Sequence, residues 1–365
     1  MYPSEYLVST FSIIAYDPNA QEWGAAVESK AFAVGAMVPW VQASVGAVAT
    51  QSHVNISFGP RGLALLRRGQ DPKAVIQTLI SRDKGAAQRQ LAVIDAQGRA
   101  ANYTGDECPA WAGGIAEQNV AVQGNLLAGE RVVTAMLAAF HKTPGKLGAR
   151  LIAALEAGQR AGGDKRGDVS SRTPRIRNNM RDDTSGQQAA ALRVAREKSD
   201  INGIGDNYID LRVDDHTAPI AELRRLYEVW EREFYPFLEG NRIKALLRAK
   251  KYARAQRTHR EFVANAERLA RKHSTDADLL NVLAWTLAQN AFGLDAALKY
   301  ARRAAKLKPK DENIADTLAE VYYQRGDAAQ AAEIERALVT KNSERADFQE
   351  QLRKFEKAAQ APRRA

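Results

Sequence analysis

The chain has 365 residues, of which 45% are apolar and 26% are charged. At roughly 100 to 200 residues per domain, this length predicts about two domains, and the composition excludes a mainly disordered or collagen-like protein. No apolar run approaches the roughly 20 residues of a membrane helix, so no membrane partner is expected. The lone cysteine, Cys108, excludes an intramolecular disulfide and a cysteine-based zinc site. With no export signal at the N-terminus, these features predict a cytoplasmic protein.

The net charge of +10 is unevenly distributed along the chain. From Glu239 onward there are 26 Lys and Arg against 17 Asp and Glu, which leaves 27 basic and 26 acidic residues before it. The first part is therefore nearly neutral and the second is strongly basic. Such a split predicts two separate units, with residues 1–238 in the first and residues 239–365 in the second.

Residue patterns in the first 160 positions predict short strands and helices in blocks. Runs of β-branched and small apolar residues, separated by turn residues, predict two hairpins and two further strands. The hairpins are 7–17 with 23–29 and 91–95 with 99–104, and the further strands are 40–51 and 119–123. Apolar residues at helical spacing predict helices over 72–81, 129–141 and 146–159.

The next segment, residues 168–186, is polar and has no period, so it is predicted to be a loop or a disordered insertion. Strand signals return at 189–195 and 208–213, and an amphipathic helix is predicted over 219–237. This order of elements is typical of an α+β or layered α/β domain.

Beyond residue 241 the strand signals end and a helical repeat begins. Leu283-Ala284-Trp285 recurs 35 positions later as Leu318-Ala319-Glu320, and small residues follow each copy at similar offsets. A period of 34 to 35 residues is that of tetratricopeptide repeats, in which two helices pack closely through small side chains. Residues 242–272 predict a preceding helix pair, and 343–359 a capping helix. Generic helical hairpins that share a period by chance remain the alternative.

Several ordered motifs closely resemble the DUF1028 family, over about residues 9 to 237. The motifs are residues 10–17 (TFSIIAYD), 29–30, 32–40, 45–51, 59–63, 89–91, 93–95, 123–129, 161–164, 166–167 and 210–214. The resemblance implies a four-layer αββα sandwich like that of N-terminal-nucleophile (Ntn) hydrolases. Many members of the family begin Met-Thr-Phe-Ser, so the resemblance also implies that Thr10 is the nucleophile of an amidohydrolase or peptidase.

The chemistry of such a nucleophile requires Thr10 to be the first residue of the chain. A threonine hydroxyl is a weak nucleophile without a base, and in this design the residue's own α-amine is the base. Nine residues precede Thr10, and none of residues 2–9 is a methionine. Activity therefore requires cleavage of the bond between Ser9 and Thr10. The alternative is that Thr10 is an ordinary β-branched strand residue.

Six further residues are assigned to the site with this resemblance in view. Asn125 is a candidate oxyanion donor, and Lys30 is a candidate to depress the pKa of the nucleophile. Gln51, Gln123, Asp164 and Arg166 are candidates for binding or positioning the substrate. For each of these residues a structural role in a strand end, turn or salt bridge remains open.

Neither a metal nor another cofactor is predicted. The five histidines show no ligand spacing, and Asp214, Asp215 and His216 are adjacent in an extended strand, where neighbours face opposite sides. Cys108 is a weaker alternative nucleophile. The basic repeats lack interleaved aromatic residues, so nucleic acid is not an expected partner. The expected partner is a small amide or peptide substrate. A protein partner at the repeats and self-association stay open, as does a non-catalytic scaffold that acts only through the repeats.

Overall fold

A computed structural model describes residues 7–8, 10–165, 186–199, 202 and 204–360 of the chain. The chain divides into two compact units. The first comprises Met1–Asp200 and Ile204–Glu228, and the second comprises Ile201–Gly203 and Val229–Ala365. The structural boundary lies between Glu228 and Val229, inside the helix Pro219–Glu233, whereas the sequence predicts the boundary at residue 238. The predicted insertion at 168–186 lies outside the described residues, apart from Gly186.

The described strands of the first unit form two antiparallel sheets. One sheet has the order β1-β5-β6-β7, with β4 also pairing with β5, and the other has the order β11-β10-β3-β2-β9-β8. The strands are β1 (Leu7–Val8), β2 (Thr10–Asp17), β3 (Glu22–Ser29), β4 (Pro39–Gln42), β5 (Gly46–His53), β6 (Arg89–Asp95), β7 (Ala100–Thr104), β8 (Gly113–Glu117), β9 (Val120–Asn125), β10 (Ala189–Ala195) and β11 (Asn207–Val213). Both predicted hairpins are present, as β2–β3 and β6–β7. The strand predicted over 7–17 is too long, however, because Leu7–Val8 pair with β5 of the other sheet and β2 begins at Thr10.

Helices cover the outer face of each sheet, so the unit has four layers in the order αββα. Helices α1 (Phe58–Arg67) and α2 (Pro72–Ile80) pack on the first sheet through an apolar cluster that includes Phe58 and Val93. Helices α3 (Arg131–Lys142) and α4 (Leu147–Arg160) cover the second sheet, where Gly158 lies against Phe11. The side chain of Asp71 caps α2 by accepting a hydrogen bond from the N–H of Ala74 at 3.0 Å.

The alternation of side chains along the strands separates the two interfaces of the sandwich. Successive residues of a strand point to opposite faces. In β2, Phe11 points to the helices, while Ile14 joins an alanine-rich cluster between the two sheets. Small side chains such as Ala49 and Ala92 let the sheets pack closely in that cluster. Every second residue of β2, β5, β6 and β9 therefore faces the opposite sheet.

Two further predicted elements are wrong in their extent, each because of local backbone chemistry. The apolar stretch 40–51 is two strands, β4 and β5, because the chain turns at residues 43–45 and then passes through Gly46 with φ of +142°. The helix predicted over 219–237 ends at Glu233 as α5 (Pro219–Glu233), and α6 (Tyr235–Arg248) begins after Phe234. Pro236 has no N–H with which to continue the hydrogen bonds of α5, and proline is tolerated in the first turn of a helix, so a new helix begins here.

The second unit is helical over its described residues. Its helices beyond α6 are α7 (Tyr252–Lys272), α8 (Ala277–Gln289), α9 (Leu294–Leu307), α10 (Glu312–Gln324), α11 (Ala328–Lys341) and α12 (Ala346–Ala359). The start of α10 follows that of α8 by 35 residues, and α11 follows α9 by 34, which confirms a repeat of helix pairs. None of the described helices is both long and apolar enough to cross a membrane.

A group of carboxylates lies between helices α10 and α11 of this unit. Glu335 is fully buried, and its carboxyl group lies beside that of Asp316. Burial, together with the neighbouring charge of Asp316, raises the pKa of Glu335 from its ordinary value near 4.5 to about 8. The nearby Glu320 is also buried and pairs with Lys354 at 2.5 Å.

The raised pKa of Glu335 predicts that the helical unit loses stability as the pH rises. The folded unit holds this proton up to about pH 8, whereas the unfolded chain loses it near 4.5, so the contribution is complete below pH 4.5 and is lost as the pH approaches 8. We expect Glu335→Gln to increase the free energy of unfolding at pH 8 by on the order of 3 kcal/mol, with little effect at pH 4.5. Denaturant titrations at the two pH values measure this difference, and the exposed Glu344→Gln is the matched control. Equal shifts at both pH values would contradict the prediction.

Candidate functional site

The candidate nucleophile Thr10 is the first residue of β2, a strand in the interior of its sheet. Its Cα partners are Ser29, at the end of β3, and Asn125, at the end of β9. Thr10 and Asn125 are both fully buried. The register of three adjacent strands therefore brings the candidate nucleophile and the candidate oxyanion donor to the same end of the sheet.

Polar residues from the opposite sheet reach this end of β2. The Nε2 of Gln51, on β5, donates a hydrogen bond to the main-chain oxygen of Thr10 at 3.2 Å. Its Oε1 accepts from the hydroxyl of Ser12 at 2.6 Å. By alternation, Thr10 and Ser12 lie on the same face of β2 as Ile14, toward the other sheet. The gap between the sheets is therefore polar at the Thr10 end and apolar farther along.

Gln90, on β6, links the residues of this polar cluster. Its Nε2 donates to the main-chain oxygen of Gly124 at 2.7 Å and to the hydroxyl of Thr104 at 3.0 Å. Its Oε1 accepts from Gln51 Nε2 at 2.8 Å and from Asn125 Nδ2 at 3.0 Å. Gln90 therefore fixes the orientation of both candidate site amides, although the sequence did not indicate it as a site residue. A sequence signal for Gln90 does exist, because this glutamine occupies an inward-facing position in a buried strand whose central residues are apolar.

Gln123, predicted to bind substrate, lies two residues before Asn125 on the same face of β9. Its Nε2 donates to the main-chain oxygen of Ala49 at 3.2 Å and to Ser12 Oγ at 3.4 Å. Its Oε1 is buried and has no hydrogen-bond partner within the described residues. This side chain spans the gap between the sheets, so the geometry supports a structural role and leaves one acceptor for a donor from water or a ligand.

Lys30 and Asp164 also lie at the Thr10 end of the sandwich. Lys30 directly follows Ser29, the Cα partner of Thr10, and it is buried. Its main-chain N–H donates to Asp164 Oδ2 at 3.4 Å. Asp164 forms an isolated bridge with Leu127, just after Asn125. The structure thus places the main chain of Lys30 and the carboxylate of Asp164 near the ends of β3 and β9, whereas Arg166 lies outside the described residues.

The alternative nucleophile Cys108 has the wrong protonation state for attack. Burial raises the pKa of its thiol, and Sγ donates a hydrogen bond to the main-chain oxygen of Arg89 at 3.3 Å. A thiol rather than a thiolate is therefore expected near neutral pH, and the thiolate is the reactive form. In the part of the chain that the structure describes, no three His, Cys, Asp or Glu side chains are arranged to hold a metal ion.

Comparisons with known proteins show which family the first unit is similar to. The model of the protein family described as "Family of unknown function (DUF1028)" matches residues 10–174. A crystal structure of protein SPO2555 from Silicibacter pomeroyi, assigned to the same family model, is similar with a TM-score of 0.53 and 28% sequence identity. The match covers 64% of this chain and 94% of that protein. No curated protein matches the chain in sequence.

Proposed function

We propose that this chain, which carries a DUF1028 domain at residues 10–174, is an N-terminal-nucleophile hydrolase of amide or peptide bonds. The observation that carries the proposal is the position of Thr10. It begins an interior strand of an αββα sandwich, in register with Asn125 and next to the buried Lys30 and Asp164. The family itself has no known function, so the proposal rests on this arrangement and on the chemistry of its groups.

Cleavage of the bond between Ser9 and Thr10 would give Thr10 both catalytic groups. A free α-amino group has a pKa of about 7.7 to 8.0, so an appreciable fraction is unprotonated near neutral pH and can accept the hydroxyl proton. The hydroxyl oxygen then attacks the carbonyl carbon of the substrate amide. The leaving amine takes the proton as the C–N bond breaks, and water hydrolyses the resulting ester to regenerate Thr10.

Three neighbours are assigned supporting roles in this reaction. Asn125 would stabilise the oxyanion, because its amide nitrogen is held beside Thr10 by the 3.0 Å hydrogen bond to Gln90. The buried ammonium of Lys30 would favour the unprotonated α-amine, because a nearby positive charge lowers the pKa of an amine. Asp164 and Arg166 would position the substrate.

The test is the identity of the first residue in the mature protein. We expect intact-mass measurement and N-terminal sequencing of the purified chain to show that it begins at Thr10, without residues 1–9. In the Thr10→Ala variant we expect the uncut chain if the domain cleaves itself, and the cut chain if another protease does so. A wild-type chain that keeps residues 2–9 and still hydrolyses amides would disprove the role of Thr10.

A non-catalytic scaffold is the second candidate, and one observation favours it. Leu7–Val8 form β1, which pairs with Ser52 and His53 of β5, so the residues that precede Ser9 take part in the fold of the sandwich. A chain that stays uncut has no α-amine at Thr10. In that case the helical repeats would carry the function by binding a partner.

A further inference from the structure

A groove in the helical unit has the size and lining of a binding site. Its cavity volume is about 380 Å³, which lies within the roughly 300–1,000 Å³ typical of ligand pockets. The lining combines apolar and polar side chains from α5, α6, α8 and α10, all within Val229–Ala365. Those that the argument uses are Glu233, Phe237, Asn281, Val282, Trp285 and Asp316.

The charge of the groove is opposite to that of the unit around it. Its lining includes the carboxylates of Glu233 and Asp316 and no lysine or arginine, although the chain from Glu239 onward carries 26 basic and 17 acidic residues. Arg345 donates to the lining residue Asn313 at 3.4 Å, but its guanidinium is held by Asp347 at 2.6 and 2.9 Å. An acidic groove in a basic unit attracts a cation and repels a phosphate.

Behind the groove, Asp316 lies among further acidic groups of α10 and α11. Asp316 accepts a hydrogen bond from Gln351 at 3.2 Å, and Glu320 lies one turn along the same helix. The fully buried Glu335 also lies beside Asp316, but it holds its proton up to about pH 8 and so adds no negative charge below that pH. Lys354 pairs with Glu320 at 2.5 Å. A ligand cation beside Asp316 would offset the excess of acidic groups.

One open hydrogen-bond acceptor and exposed apolar surface complete the lining. The buried Oδ1 of Asn281 has no hydrogen-bond partner within the described residues, so it is suited to a donor from a ligand. Phe237 is 50% exposed, and Val282 and Trp285 are half-buried. The complementary ligand carries N–H donors, a positive charge and an apolar side chain, which is the chemistry of a peptide rich in Arg or Lys and apolar residues.

We propose that this groove binds a cationic, partly apolar segment of a partner polypeptide, with its positive charge beside Asp316 and Glu233. This function is independent of the proposed hydrolase site, since no residue of the sandwich takes part in it. It also gives the helical unit a role if Thr10 is never released.

The test uses two labelled peptides and the full-length protein at 150 mM salt. One peptide alternates arginine with leucine over twelve residues, and the other has glutamate in place of every arginine. We expect fluorescence anisotropy to detect micromolar binding of the arginine peptide and at least tenfold weaker binding of the glutamate peptide. The double variant Glu233→Gln, Asp316→Asn should weaken binding of the arginine peptide at least tenfold, and Phe237→Ser about fivefold.

The exposed Glu344→Gln, which removes a carboxylate away from the groove, is the matched control and should bind as the wild type does. Thermal unfolding establishes that each variant is folded before binding is measured. Three results would overturn the proposal. They are no binding of the arginine peptide, binding that the double variant leaves unchanged, and equally tight binding of the glutamate peptide.

Discussion

Replacing Thr10 by valine is expected to abolish hydrolysis while leaving the fold intact. Valine has nearly the same shape as threonine and is equally suited to the start of β2, but it has no hydroxyl to form the acyl ester. We expect a loss of at least about a thousandfold in turnover, because loss of the nucleophile leaves only binding and oxyanion stabilisation. The measurement is a panel of fluorogenic acyl and aminoacyl amides, assayed with chains produced so that residue 10 comes first.

Thr10→Ser is the matched comparison, because it keeps the hydroxyl and removes only a methyl group. This variant should retain measurable turnover, and mass spectrometry should find an acyl adduct on its first residue after treatment with an activated ester. The valine variant should show no oxygen-linked adduct at this residue. Full turnover by the valine variant would place the reaction elsewhere in the domain.

Replacing Gln90 by leucine is expected to destabilise the sandwich by about 3 to 5 kcal/mol. The amide of Gln90 makes hydrogen bonds to Gly124, Thr104, Gln51 and Asn125, all between buried or half-buried groups. Leucine fills a similar volume but leaves several of these groups without a partner, and each such loss costs about 1 to 3 kcal/mol. The expected loss of stability is smaller than the sum of these costs, because the polar groups left behind rearrange and partly pair with one another.

Denaturant unfolding followed by a probe of the sandwich measures this change. Gln77→Leu is the control, because Gln77 is exposed on α2 and the same substitution there should change the free energy of unfolding by less than about 0.5 kcal/mol. If the two variants have the same free energy of unfolding, the hydrogen bonds of Gln90 make no net contribution to the stability of the sandwich.

Local chemistry explains which parts of the fold the sequence predicts well. The hairpin β2–β3 is marked by β-branched strands around a turn, and the start of α2 by Asp71 followed by Pro72. The helical repeat is recognised from its period. These signals act within a few residues or repeat at fixed spacing, so they do not depend on the tertiary fold.

The parts that the sequence does not predict depend on contacts between distant segments. Strand β8 has two glycines and a mixed pattern, and it exists because it pairs with β9. The role of Gln90 depends on two sheets meeting, since its partners come from β5 and β9. For the site, the family resemblance selects Thr10, Lys30 and Asn125, and the register of the strands brings them together.

The pairing of β1 with β5 determines what cleavage before Thr10 would do to the segment that is cut off. In the uncut chain this segment is tethered, so its effective concentration beside β5 is high and a two-residue ladder is enough to hold it. Once severed, it would be a short free peptide whose described residues form two pairs with β5, and dilution would favour its escape. Maturation would then be irreversible in practice, and the edge of β5 at Ser52 and His53 would open to solvent beside the new amino terminus.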